Sequence, residues 1–168
     1  MEKNLTDQLY EELKKRKLFS EQEDDQSKDE EDSDKETGDT KGSENSDFVD
    51  MVSTLLHSRT QAHVFHLQTK SQSSFAEHMA LGGYYDEIGD HIDGIVESFQ
   101  GKYDIVKNYD TMDIENYSGK DQLISYFRGL DDMIEEKRKG IKESYLQNQI
   151  DTIQQLIFST LYKLRNLA

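Results

Sequence analysis

Five side chains in this sequence have the types and spacing to hold a metal ion: His63, His66, His78, Asp93 and Glu97. Imidazole nitrogens and carboxylate oxygens, in a chain with no cysteine, form a donor set suited to iron. His63 and His66 are three residues apart and share a face of any helix that carries them. Asp93 and Glu97 are four apart and do the same. Singly, each has a plainer explanation. A histidine on an apolar helix face more often packs than coordinates, and an acidic pair is an ordinary solvated surface. The combination is what points to a metal. No glycine-rich phosphate loop, nucleophile elbow or HExxH motif competes for the site.

The elements that must position these residues are helices. Phe48, Val52, Leu55, Leu56, Ala62, His63 and His66 recur at steps of three and four, which predicts a helix A over 48–69. The polar stretch from Thr69 to Ser73 interrupts that pattern. Ser74-Phe75-Ala76-Glu77 has the form of a capping box and opens a helix B, with Phe75, Leu81, Tyr85, Ile88, Ile92, Val96 and Phe99 inward and Gly101 at its end. His78 falls on the first turn of helix B. Residues 101–117 are a long connection, apolar enough to pack and to hold a short helix, and a connection of this length lets the chain return to the far end of a bundle. Helix C opens at 118–121 with the stripe Leu123, Ile124, Phe127, Leu130, Ile134 and Ile141. Helix D carries Leu146, Ile150, Ile153, Ile157, Leu161 and Leu164.

Helix geometry constrains the site. His78 and Asp93 are 15 residues apart on helix B, or about 22 Å at the α-helical rise. They cannot reach one ion from the same chain. If they share a metal, the carboxylates come from a second subunit whose helix B packs antiparallel across a two-fold axis, and the pattern therefore predicts a dimer.

Composition bounds the rest. The 168 residues carry a net charge of −15 and lack cysteine, proline and tryptophan. Disulfides and thiolate metal sites are excluded, and the absence of proline suits long helices. Residues 20–47 hold 13 Asp or Glu against 3 Lys, so two thirds of the net charge sits there; this is expected to be a disordered acidic linker. Residues 1–19 place Leu5, Leu9, Tyr10 and Leu13 at helical spacing ahead of the basic run Lys14–Lys17, a short amphipathic segment that is either a partly helical tail or a docking peptide whose residues 4–19 fold on a protein partner. No apolar run is long enough to cross a bilayer, and no signal-like stretch opens the chain, so a cytoplasmic location is expected. Between Ser71 and Gly101 there are six acids and no Lys or Arg, a field that attracts cations.

The stretch AHVFHLQTKSQSSFAEHMALGGYYDEIGDHIDGIVES resembles the A–B hairpin of the Dps-like mini-ferritins. That family has a histidine near the end of helix A, a second twelve residues on, a carboxylate four later, and an Asp and a Glu at +27 and +31. Here the series is His66, His78, Gly82, Asp93 and Glu97, with His63 where some members carry a further histidine. Gly82 replaces the same-chain carboxylate, and Leu67 the usual aromatic beside the metal. The resemblance implies a ferritin-like antiparallel four-helix bundle over 48–168 with a long B–C connection. It also implies ferrous iron held between two subunits, ferroxidase-type oxidation by peroxide or oxygen, and storage in a hollow homo-dodecamer. Direct DNA binding is not expected, because the acidic linker opposes the phosphate contacts that drive it. The alternative is a non-catalytic structural or adaptor protein on the same scaffold, virus-encoded or from an AT-rich genome, acting through its N-terminal segment.

Overall fold

The computed structural model describes the backbone of residues 39–70 and 74–168, with side chains from Ser46 onward in that range. The segment 1–19 and most of the acidic linker lie outside it. One compact unit spans Thr40–Ala168. It is built from four helices: α1 (Asp39–Gln68), α2 (Phe75–Lys102), α3 (Lys120–Lys137) and α4 (Ser144–Asn166), with a 3-10 turn at Arg138–Gly140 between the last two. No strand occurs among the described residues. None of the described helices is long and apolar enough to cross a membrane. Helix α1 starts nine residues before the expected Phe48, so the end of the acidic segment is helical rather than linker.

Side-chain pairings give the helix directions. Phe48 stacks on Phe99 at 3.8 Å, the Ser58 and Tyr84 hydroxyls meet at 2.7 Å, and His66 lies on His78, so α1 and α2 are antiparallel. Lys137 bridges Asp47 and Asp50, while Tyr126 packs against Phe65, so α3 is also antiparallel to α1. Gln154 binds Asp131 and Glu135 of α3, and Gln149 binds Gly94 and Ser98 of α2, so α4 opposes both. The order is therefore up, down, down, up. Every inward residue expected of helix D is buried, and Leu123, Phe127, Leu130 and Ile134 of α3 join them. These side chains supply the apolar burial that drives assembly.

Because α2 and α3 run in the same sense, residues 103–119 must travel the length of α1. They do so without helix or strand. Ser53 to Gln68 of α1 spans about 22 Å at the helical rise, and the matching stretch Asp110–Tyr117 covers about 23 Å only if fully extended. The short helix that the sequence leaves room for would fall far short. An extended single strand has no internal partners for its backbone groups, and one face of α1 supplies them. Ser53 Oγ accepts from the Asp110 N–H at 3.0 Å, and His57 Nε2 donates to the Asp113 carbonyl at 3.0 Å. Gln61 binds both backbone groups of Glu115, at 2.8 and 2.7 Å, and Gln68 accepts from the Tyr117 N–H at 2.6 Å. The strap turns at Asn108 (φ 62°), in a left-handed conformation asparagine tolerates, and ends at Gly119 (φ 135°), where only glycine is at ease.

Two sequence expectations fail here. Ser74 makes no side-chain cap to α2, and Glu77 is not its reciprocal partner. The buried Glu77 carboxylate instead accepts from the Tyr117 hydroxyl at 2.5 Å, tying the strap to α2. Tyr117 is pushed up to about 12, by burial first and this carboxylate second. Phe75 and Leu56, expected inward, are 66% and 42% exposed, while Tyr84 and Ile95 take core positions on α2.

Two predictions follow from the strap and the far end of α2. Gln61→Leu keeps the volume of a fully buried side chain but leaves both Glu115 backbone groups unpaired. It should lower stability by about 2 kcal/mol in urea unfolding, and a change within error would mean the strap does not depend on it. At the other end, Glu143 accepts from Lys102 (2.7 Å) and from the Tyr103 hydroxyl, and these donors hold its carboxyl near 2 instead of 4.5. A carboxyl depressed in the folded state stabilises fully above pH 4.5 and loses that contribution as pH falls toward 2. Glu143→Gln should therefore flatten the acid limb of the stability profile within that window and leave neutral pH less affected by further acidification.

Candidate metal centre

His66 occupies the last turn of α1, and His78 the first turn of α2. The hairpin brings their rings together at 3.6 Å between centroids and 24° between planes. Each ring also reaches the other residue's backbone. His66 Nδ1 lies 2.9 Å from the His78 carbonyl. His78 Nδ1 lies 3.1 Å from the His66 carbonyl and 3.1 Å from Thr69 Oγ1. The Thr69 hydroxyl itself donates to the His66 carbonyl at 2.8 Å. A carbonyl only accepts, so both imidazoles carry their proton on Nδ1.

This clip closes the hairpin. The last carbonyls of α1 have no partner within the helix, and His78 and Thr69 satisfy that of His66. It also sets the chemistry. With Nδ1–H committed to carbonyl oxygens, each neutral ring keeps its lone pair on Nε2. This is the arrangement in which histidine is oriented to bind a metal, with the outer hydrogen bond setting the tautomer. Both residues are half-buried, so the pair is reachable.

Gly82 explains how His66 fits. A Cβ at this position would stand 3.4 Å from His66 Cε1 and 3.5 Å from Nδ1. The glycine leaves the face of α2 open where the ring of His66 reaches the His78 carbonyl one turn earlier. Those distances are ordinary contact, so a small side chain is tolerated at 82.

The other expected ligands are placed separately. His63 is exposed rather than core-facing and stacks on Tyr85 at 4.4 Å; its ring is 6.2 Å from that of His66. Asp93 and Glu97 are exposed and lie four to five turns further along α2. Among the described residues no three His, Asp or Glu side chains converge within one chain. The chain itself thus assembles the histidine pair alone. Around it, Leu67, Phe75 and Met79 are 67%, 66% and 57% exposed, an apolar surround at the hairpin end. Two participants escaped the sequence reading. Thr69 appeared only as part of a polar break, and Tyr85, taken as core, instead packs its ring edge 5.2 Å from His66.

The clip makes a direct prediction. Nitrogen NMR of the imidazoles above their titration should show His66 and His78 protonated at Nδ1 and bare at Nε2, the reverse of the tautomer that free histidine prefers. Finding Nε2–H on both would contradict the assigned hydrogen bonds. Gly82→Ala should raise stability by about 0.5–1 kcal/mol, because glycine inside a helix is unfavourable and the space is available.

No curated protein and no solved structure matches the chain. The model of a family of unknown function, DUF5856, matches residues 66–164, from His66 through nearly all of α4. The chain belongs to the DUF5856 family.

Proposed function

We propose that this protein is a divergent Dps-like mini-ferritin that binds ferrous iron between two subunits. The observation that carries the proposal is the half-buried histidine pair, whose Nδ1 atoms bond backbone carbonyls and so leave Nε2 of each ring as its donor atom for a metal. The spacing of His66, His78, Asp93 and Glu97 supports it, as does the up-down-down-up order with its single long crossover, the connection found in ferritin-like bundles. His66 and His78 hold the ion from one subunit. Asp93 and Glu97 of a second chain, related by a two-fold axis, supply the oxygens and offset its charge. The exposed Leu67, Phe75 and Met79 are what such an interface would cover. His63 stands outside the first set of ligands, beside Tyr85. Twelve chains of 19.5 kDa would form a shell of about 234 kDa, and the acidic segment 20–47 keeps it off DNA.

Glycine at 82 removes the same-chain carboxylate, so iron binding is retained more fully than iron oxidation. The non-catalytic scaffold reading draws on the same clip: there the histidines only close the hairpin.

Anaerobic titration with Fe(II), read with size-exclusion chromatography, separates the two. The iron reading expects saturable binding that His66→Ala and His78→Ala each abolish, in a species no smaller than a dimer. Uptake unchanged in both variants would sink the assignment. Gly82→Asp should add a ligand and speed peroxide-driven oxidation over the wild type.

A further inference from the structure

The strap is bonded to α1 along one edge only. From residue 113 onward those bonds fall on alternate residues: the Asp113 carbonyl meets His57, both polar groups of Glu115 meet Gln61, and the Tyr117 N–H meets Gln68. Successive residues of an extended chain turn their peptide groups to opposite edges. The intervening groups therefore point away from α1. Gln122, in the first turn of α3, takes two of them, the Asn116 carbonyl and the Ser118 N–H. Among the described residues, the N–H and C=O of Met112 and of Ile114, and the N–H of Asn116, have no hydrogen-bond partner. Ile114 and Asn116 are exposed and Met112 is half-buried, so a second chain can reach this edge.

An open strand edge is a template for a further strand. The side chains define what that strand must carry. Asp113 and Glu115 stand on one face of the strap, and Met112 and Ile114 on the other. Ile114 is 44% exposed. Between Asp110 and Tyr117 there are three acids and no Lys or Arg. The strap of a second copy would set these acids against their own kind, which opposes pairing. A strand with Lys or Arg across from the acids and aliphatic residues across from Met112 and Ile114 suits both faces.

We propose that the strap docks an extended segment of a partner protein in which basic and aliphatic residues alternate, added as an antiparallel strand along residues 112–116. Pairing of this kind fixes a register. Residues directly opposite each other share a face, so the aliphatic residues of the partner oppose Met112 and Ile114, and their own N–H groups bond the strap. The basic residues turn their N–H groups outward. This edge serves with or without a metal at the hairpin end.

The test adds the end-blocked peptide Lys-Ile-Lys-Ile-Lys to the full chain and follows amide exchange by NMR. Exchange should slow at Met112 and Ile114. The Glu115 amide, already bonded to Gln61, should change little. Methylating the isoleucine nitrogens of the peptide should abolish the protection, whereas methylating the lysine nitrogens should preserve it. Asp113→Lys should weaken binding several-fold. It leaves the bonds of the fold in place, because the carbonyl of Asp113, not its carboxylate, is what His57 holds. No binding overturns the proposal, as does binding that leaves the Met112 and Ile114 amides unprotected, the result if the peptide only meets the acidic segment 20–47. Equal protection by the two methylated peptides also overturns it. Protection that grows with protein concentration and needs no peptide would make a second copy the occupant and overturn it too.

Discussion

The structure depends on a mismatch of rise. The second and third helices point the same way, so the chain must travel the length of the first helix to connect them, and a helical connection would consume far too many residues. The extended form covers the distance with few, but leaves its peptide groups unpaired. Helix α1 resolves this with Ser53, His57, Gln61 and Gln68, whose side chains substitute for the missing backbone partners. Gln61 is the most telling, being fully buried yet bonded to both polar groups of Glu115. With the strap in place, Tyr117 reaches the Glu77 carboxylate at the start of α2, one residue from His78. The crossover therefore steadies the hairpin end where the histidines lie.

At that end, structural and chemical roles coincide. His66 and His78 satisfy backbone carbonyls, as a helix–helix turn requires, and doing so fixes both rings in the tautomer that frees Nε2. The clip thus serves the fold with or without metal. The proposed iron site rests on the setting: two half-buried imidazoles at the hairpin end that also carries the exposed Leu67, Phe75 and Met79, with Asp93 and Glu97 too far along the same helix to reach them. In the proposed reading, this end is one half of a centre that a second subunit completes.

Much of this was legible in the sequence where one physical rule acts alone. Apolar residues recur along helix α4 at steps of three and four, and its six predicted inward residues are all buried. The long connection was read correctly as a return to the far end because helix count and loop lengths require it. Other features involve competing partners that spacing cannot reveal. Ser74 and Glu77 have the capping-box pattern, but Tyr117, forty residues away, takes the carboxylate. Helical periodicity places Tyr84 and Tyr85 within one step of each other; Tyr84 is the core residue and Tyr85 turns toward the histidines. The identity of Gly82 was visible, but its use was not, since only the folded hairpin shows the ring of His66 lying against it.

The central claim is that a complete iron site needs histidines from one chain and carboxylates from another. Subunit complementation tests it most directly. One variant carries His66→Ala with His78→Ala, the other Asp93→Asn with Glu97→Gln, and each alone should fail to bind Fe(II) anaerobically. Unfolded together and refolded as a mixture, they should regain part of the wild-type binding, because a mixed dimer contains one intact site. Binding by the carboxylate variant alone, or a mixture as inactive as its components, would contradict the shared site.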